Sequence, residues 1–300
     1  MDLAPMQTLL SMLESWAMTM RVAQAPPEGD WRTWLIMAGR GYGKTRAGAE
    51  WVRERAENDG RVRIALVAAT LAEARAVMVE GETGLLAIAP DDNRPRFEPS
   101  NRKLIWRDGA QATLYSAGEP ESLRGPQHHF AWCDEIGKWA RGQEVWDNLA
   151  MGLRLGSDPR TVATSTPRAV PLVRKLAALA TEDGPVRMTR GRMIDNRAHL
   201  ATAFIETMEA SYGGTTIGRQ ELDGELIEEI EGALWSRALI ERCRVAAAPA
   251  AVRVVIGVDP PAGADATSDA CGIVVVALGE DARAYVIADA SVKGASPEGW

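Results

Sequence analysis

Residues 34–45 read WLIMAGRGYGKT, and the interpretation of the whole chain turns on them. Residues 34–37 are a short apolar run of the kind that makes a buried strand, and a helical pattern follows from Arg46 to about Asn58. Strand, glycine-rich turn, Gly-Lys-Thr and helix form the context that a phosphate-binding P-loop requires. Gly39, Gly41 and Gly43 are expected to take positive φ, so that successive N–H groups along the loop, that of Tyr42 included, point inward at phosphate oxygens. The helix starting near Lys44 adds the positive end of its dipole. In such a loop Lys44 sits on the β- and γ-phosphates of a nucleotide, and the Thr45 hydroxyl holds Mg²⁺. The first glycine of the usual pattern is here Ala38. A plain glycine-rich turn between core elements is the simpler alternative, and the strand before it and the helix after it weigh against that.

The 300 residues suit two domains better than one. A hydrophobic content of 46% and a charged content of 25% are ordinary for a globular chain. Ten tryptophans against three phenylalanines and four tyrosines are unusual. Cys133, Cys243 and Cys271 have neither paired nor zinc-like spacing, which points to core thiols in a reducing compartment. The N-terminal stretch 1–22 carries Asp2 and Glu14 and lacks a basic leader, so it reads as an amphipathic helix and not a signal peptide. No run approaches the ~18 apolar residues that a membrane span needs. A net charge of −7 argues against wholesale wrapping of nucleic acid but leaves room for a local basic channel. The stretch 168–197, rich in arginine, is a candidate for one; a merely solvated basic surface reads equally well.

Beyond the P-loop helix, residues 63–69 form a second buried strand and 70–80 a helix. Residues 104–106 and 111–116 form a hairpin turning at Asp108-Gly109. Residues 130–133 are an apolar strand that delivers two adjacent carboxylates, Asp134 and Glu135, at its C-terminal end. In open α/β sheets that edge is where ligands bind. Asp134 suits the Mg²⁺ shell and Glu135 the attacking water, which is hydrolysis and not mere nucleotide binding. Residues 161–165 form another strand, whose trailing hydroxyls, ending with Thr166, emerge at the same edge; polar capping of a strand end is the plainer reading. A further strand is expected to close over 191–196, followed by a helix over 199–211 and, over 212–231, a Gly-Gly turn continuing as an acidic helix. Gln24, just upstream of the P-loop strand, could bond an adenine edge or be an ordinary polar loop residue. Residues 246–251 look like a linker. Residues 252–258 then form a strand ending at Asp259, a loop carries Asp265 and Asp269, and two more strands cover 272–278 and 284–289. About fifty residues cannot bury a sheet core of their own, so a truncated or incomplete second domain is expected.

Taken together, PPEGDWRTWLIMAGRGYGKTRAGAEWV, SLRGPQHHFAWCDE, ATSTPR, YGGTTIGRQELDGE and VVIGVDPPAG resemble, in their order and spacing, the large subunit of tailed-phage terminases. The versions carried by prophages and gene-transfer agents are the most similar. The resemblance implies an α/β fold: a P-loop (ASCE-type) ATPase domain with a mostly parallel central sheet over residues 1–235, a linker over 236–251, and the first strands of a ribonuclease-H-like nuclease domain over 252–300. It implies ATP as substrate with Mg²⁺, and Mg²⁺ or Mn²⁺ in the nuclease. It makes Arg40 a γ-phosphate sensor, Gln24 an adenine contact, Arg124 an arginine finger reaching a neighbouring subunit's ATP, and residues 164–166 the segment that couples hydrolysis to movement. Asp259 becomes the first nuclease metal ligand and Asp269 a supporting acid, in a centre left incomplete by this chain. The implied partners are double-stranded DNA, a portal and procapsid, a small terminase subunit and further copies of the chain in a ring, in the cytoplasm of a host bacterial cell and with no membrane. Two other classes compete. A helicase-like or repair P-loop ATPase is disfavoured by the acid-tipped strands after residue 250. A degenerate nucleotide-binding switch is disfavoured by intact Lys44, Thr45, Asp134 and Glu135.

Overall fold

The strands β1 (Thr33–Ala38, TWLIMA) and β2 (Arg63–Ala68, RIALVA) are apolar along nearly their whole length, which is what strands covered on both faces require. In the protein, a computed structural model describing residues 16–227, 235, 237–260 and 270–292, they are buried almost throughout. The chain divides into two compact units, Met1–Glu228 and Glu229–Trp300.

In the first unit β1 leads through the glycine-rich turn into helix α1 (Lys44–Asn58) and then β2. The expected helix after β2 is present but changes character: a turn at Leu71–Glu73, capped by the Thr70 hydroxyl accepting from Glu73 N–H, widens into π-helix over Ala74–Val79. The hairpin β3 (Arg96–Glu98), β4 (Lys103–Ile105) and β5 (Gln111–Ser116) follows, with Gly109 at φ 97° in the β4–β5 turn. Next come β6 (Phe130–Cys133), α2 (Gly142–Gly152), β7 (Arg160–Ser165), α3 (Pro171–Leu179) and β8 (Val186–Gly191). The strand expected to close over 191–196 ends at Gly191, and a 3₁₀ segment, Met193–His199, takes over. Helices α4 (Thr202–Tyr212) and α5 (Thr216–Glu221) complete the unit; the acidic helix expected over 212–231 stops at Glu221, where the chain turns with Gly224 at φ 71°, and 228–231 lie outside the described residues.

The sheet order is β3-β4-β5-β2-β6-β7-β1-β8. From β5 to β8 every pairing is parallel, while β3 and β4 run antiparallel at one edge. Alternation of side chains splits the core in two. Trp34, Ile36, Ile64, Leu66, Trp132 and Val162 face α1, and Leu35, Met37, Ala65, Val67, Cys133 and Ala163 face α2 and α3. Helix α1 lies very close to the sheet: a Cβ on Gly48 would stand 2.4 Å from Trp132 Cε2. The tryptophan excess is partly explained here, since Trp31, Trp34, Trp51 and Trp132 are fully buried in one layer.

In the second unit a helix α6 (Arg237–Cys243) precedes an antiparallel sheet, β11-β10-β9, of β9 (Ala251–Asp259), β10 (Gly272–Gly279) and β11 (Ala284–Asp289). Helix α6 occupies part of the stretch expected to be linker. Among the described residues no helix is long and apolar enough to cross a membrane.

One buried group gives the fold a pH dependence. His128, just before β6, is 4% exposed, and neither ring nitrogen has a hydrogen-bond partner among the described residues. Burial, with the neighbouring His129 adding to it, pushes its imidazole from 6.5 down to about 4. The unfolded chain therefore takes up a proton below its ordinary value while the fold refuses it, so stability falls as pH drops through that window, by about 3 kcal/mol in all. His128→Phe is expected to remove this component: denaturant unfolding compared at neutral pH and near pH 4.5 should show a smaller acid loss than in the parent chain.

Candidate nucleotide-binding and hydrolytic site

Parallel strands deliver their C-terminal ends to one edge of the sheet. Because β7 lies between β1 and β6, the residues after all three strands converge there. The register pairs Met37 with Ser165 and Cys133 with Ala163, so the turn after Ala38, the acids Asp134 and Glu135, and the Thr164–Thr166 hydroxyls share one mouth. A pocket of about 820 Å³ opens there, lined among others by Gln24, Arg40, Gly41, Gly43, Lys44, Thr45, Asp134, Glu135, Thr166 and Arg168. That volume is in the range of small-molecule sites.

The loop has the expected nest geometry with one correction. Gly41 (φ 74°) and Gly43 (φ 96°) are in the left-handed region; Gly39 is not. Gly39 needs its small size instead, because a Cβ there would stand 2.3 Å from the Leu222 carbonyl. Its N–H donates to Gly191 O (2.9 Å) and that of Arg40 to Glu221 O (2.6 Å), so these two amides are engaged by the protein and do not face the pocket unpaired. Lys44, Thr45 and Arg46 open α1, where N–H groups have no partner within the helix and favour an anion.

Lys44 is 7% exposed; its Nζ donates to Ala38 O (2.9 Å) and Gly39 O (3.1 Å) and lies 3.5 Å from Glu135 Oε1. Burial lowers its pKa, and the charges of Glu135 and Asp134 oppose that. Asp134, buried beside it, is pushed up to about 6 by burial and by Glu135, against the Thr164 hydroxyl, which donates to Asp134 Oδ1 at 2.6 Å. For Glu135 burial again favours the neutral acid. The Lys44 charge and the Thr166 bonds outweigh it, so the carboxyl titrates below its ordinary value and stays ionised. Thr166 N–H and Oγ1 both donate to Glu135 Oε2 at 3.0 Å. The Glu135 backbone sits at φ 49°, a strained conformation for a non-glycine residue. The two neighbouring acids are thus driven apart: one is easily protonated, and the other holds its charge.

A divalent ion bound with a nucleotide takes phosphate oxygens and waters for most of its shell and needs little from the protein. One carboxylate, Asp134, and one hydroxyl, Thr45, lining the same pocket fit that demand. Among the described residues no group of three or more His, Cys, Asp or Glu could hold a metal by itself.

The remaining expected residues fall in different places. Gln24 is 5% exposed; its Nε2 donates to Gly43 O (3.3 Å) and its Oε1 accepts from Arg21 N–H (3.2 Å), so much of its amide serves the loop. Arg124 is outside the pocket lining, exposed, and paired with Glu121 Oε2 at 3.0 Å. Asp259 ends β9 in the second unit, exposed; Asp265 and Asp269 lie outside the described residues, as does most of the expected N-terminal helix. In the basic stretch Arg168 lines the pocket, whereas Arg187 pairs with Asp183 and Arg192 with Asp195. Lys138 also lines the pocket, 3.7 Å from Glu73, and was not legible in the sequence as a site residue. Thr164→Val removes the hydroxyl that steadies the Asp134 carboxylate. Its titration, followed by carboxyl ¹³C NMR on the nucleotide-free protein, should move above its present value by about one unit.

The match to known proteins agrees with this geometry. Residues 35–242 match the family model described as terminase large subunit, T4likevirus-type, N-terminal. Among solved structures, the ATPase domain of the Thermus phage P74-26 large terminase is similar with a TM-score of 0.57 at 16% identity, covering 72% of this chain and 98% of that one. The large terminase of a thermophilic bacteriophage in complex with ADP is similar with a TM-score of 0.54 at 14% identity, covering 95% of this chain and 67% of that one. The large terminase of bacteriophage HK97 is similar with a TM-score of 0.51 at 15% identity, over 85% of this chain and 58% of that one. At such identities these are likenesses of fold, and no curated protein sequence matches the chain. With the matched stretch running from the P-loop strand past both acids to α6, the chain belongs to the phage terminase large-subunit family, in its N-terminal ATPase region.

Proposed function

We propose that this chain hydrolyses ATP to drive double-stranded DNA into a procapsid, and that its second unit opens a metal-dependent nuclease. The observation that carries the reading is the meeting of Lys44, Asp134 and Glu135 in one buried pocket, with Lys44 Nζ 3.5 Å from Glu135 Oε1 at the end of a glycine nest.

In this reading the triphosphate takes the amides at the start of α1, with Lys44 and Arg40 on its terminal phosphates and Gln24 beside the base. Thr45 and Asp134 would hold Mg²⁺, which when bound would spread the charge developing on the phosphoryl oxygens. Glu135, kept ionised by Lys44 and Thr166, accepts the proton of the water that attacks the γ-phosphorus as the bond to the bridging oxygen breaks. Thr166, bonded to that carboxylate, ends the 164–166 segment that couples the chemistry to movement. Arg124, outside its own pocket, supplies positive charge to a neighbouring copy's ATP, so that turnover depends on a ring assembled on a portal. DNA is held through its phosphates without reading sequence, and a small terminase subunit delivers it. In the second unit Asp259, with Asp269, would help hold Mg²⁺ or Mn²⁺ for phosphodiester cleavage. The setting is the cytoplasm of a host bacterium.

Glu135→Gln keeps the side chain's shape and removes the base. ATP affinity should stay within about twofold while phosphate release falls at least about a hundredfold; unchanged turnover would remove Glu135 from the chemistry. Arg124→Ala should leave ATP binding intact and abolish the stimulation of hydrolysis produced by procapsids and DNA. Retained stimulation would refute an arginine acting between subunits.

A further inference from the structure

A nest that points its N–H groups inward must point its carbonyls outward, and carbonyls left unpaired in a crowded place cost stability. The outer side of this loop is filled by donors from two remote parts of the chain. Asn196 Nδ2 donates to Gly41 O at 2.7 Å. Arg21 Nη2 donates to Tyr42 O, and Arg21 Nη1 donates to Asn196 Oδ1. Gln24 Nε2 donates to Gly43 O at 3.3 Å. The Arg21 guanidinium also stacks on the Tyr42 ring, 4.6 Å from its centroid. Three successive loop carbonyls thus each take a side-chain donor, and two of the donors hold one another.

We infer that Arg21 and Asn196 are positioning residues for nucleotide binding: together with Gln24 they form a clasp that fixes the carbonyls of Gly41, Tyr42 and Gly43 outward and so sets the amides for phosphate. Neither residue needs to touch the nucleotide for this. The clasp joins the segment before β1 to the 3₁₀ segment after β8, residues 175 apart in sequence. Its two ends meet only when both segments are docked, which makes the competence of the loop depend on the part of the chain after β8. Two backbone bonds run the same way: Gly39 N–H to Gly191 O and Arg40 N–H to Glu221 O. Asn196 further lines the nucleotide pocket, so movement of its segment alters the loop and the pocket wall at once.

The inference rests on the proposed ATP site, and its test separates the two. Asn196→Asp keeps the shape and the acceptor for Arg21 and removes the donor to Gly41 O. In the nucleotide-free full chain, hydrogen exchange of the peptide covering residues 39–47 should quicken about tenfold, with peptides of β2 and β6 unchanged. A fluorescent ATP analogue should bind about fivefold to tenfold more weakly. KM should rise by the same factor with kcat within about twofold, the mark of an interaction felt equally in ground and transition states. Arg21→Ala should do the same, and the double variant should show less than the sum of the two effects, because they share a bond. Loop exchange equal to that of the parent chain, or faster exchange spread over all peptides with KM unchanged, would overturn the clasp. Failure of the parent chain to bind the analogue would instead overturn the ATP site, while the exchange comparison still decides on the clasp.

Discussion

One buried ammonium organises the site. Lys44 lies at the start of α1 with two loop carbonyls and a carboxylate around it, and water is nearly excluded. A cation in such a place is tolerable only if negative charge is close. Glu135 supplies it and is held ionised in return. Asp134, the neighbour with no cation of its own as near, carries the cost of crowding and is pushed up to about 6. A second cation entering the pocket would steady the charge of Asp134, which burial and Glu135 disfavour, whereas Glu135 already has a partner. The asymmetry between two adjacent acids follows from where one lysine sits.

That placement depends on distances set by packing far from the chemistry. Helix α1 carries Lys44, and β6 carries Asp134 and Glu135. They are brought together by the contact of Gly48 with Trp132, which any larger residue at 48 would pry open. Strand β7 is the spacer on the other side: lying between β6 and β1, it puts Thr164 and Thr166 against the acids, where a direct β1–β6 pairing would leave no room for them. The strained backbone of Glu135 is held by the same neighbours, since Thr166 bonds its side chain twice and Thr164 Oγ1 accepts from its N–H at 3.2 Å.

Much of this was legible in the sequence, and for local reasons. The P-loop is a few adjacent residues whose chemistry is read together, and Phe130–Cys133 followed by Asp134-Glu135 is a continuous apolar run with an abrupt charged end. Burial on both faces erases alternation, so such runs announce parallel strands. Several features had no local signature. The widening of Ala74–Val79 into π-helix, the ordinary φ of Gly39, and the end of β8 at Gly191 are imposed by neighbours distant in the chain. Arg21 and Asn196 are unremarkable in sequence because each acquires its meaning from the other. Lys138, close after the acids, became a pocket residue only through the turn that Glu135 makes.

The loop is therefore held from two directions that differ in kind. On the inner side Lys44 and the helix start would respond to charge, and in the proposed function a phosphate would compete for the ammonium that the carbonyls of Ala38 and Gly39 hold. On the outer side the bonds from Asn196, Arg21 and Gln24 concern shape: they keep the carbonyls turned away whether or not charge is present. A loop gripped only from within would refold around each ligand and pay for that order at every binding event. Gripped by the segment before β1 and the segment after β8, it would meet a phosphate already arranged, and any motion of the segment after β8 would be transmitted to the amides through bonds instead of through loose contact.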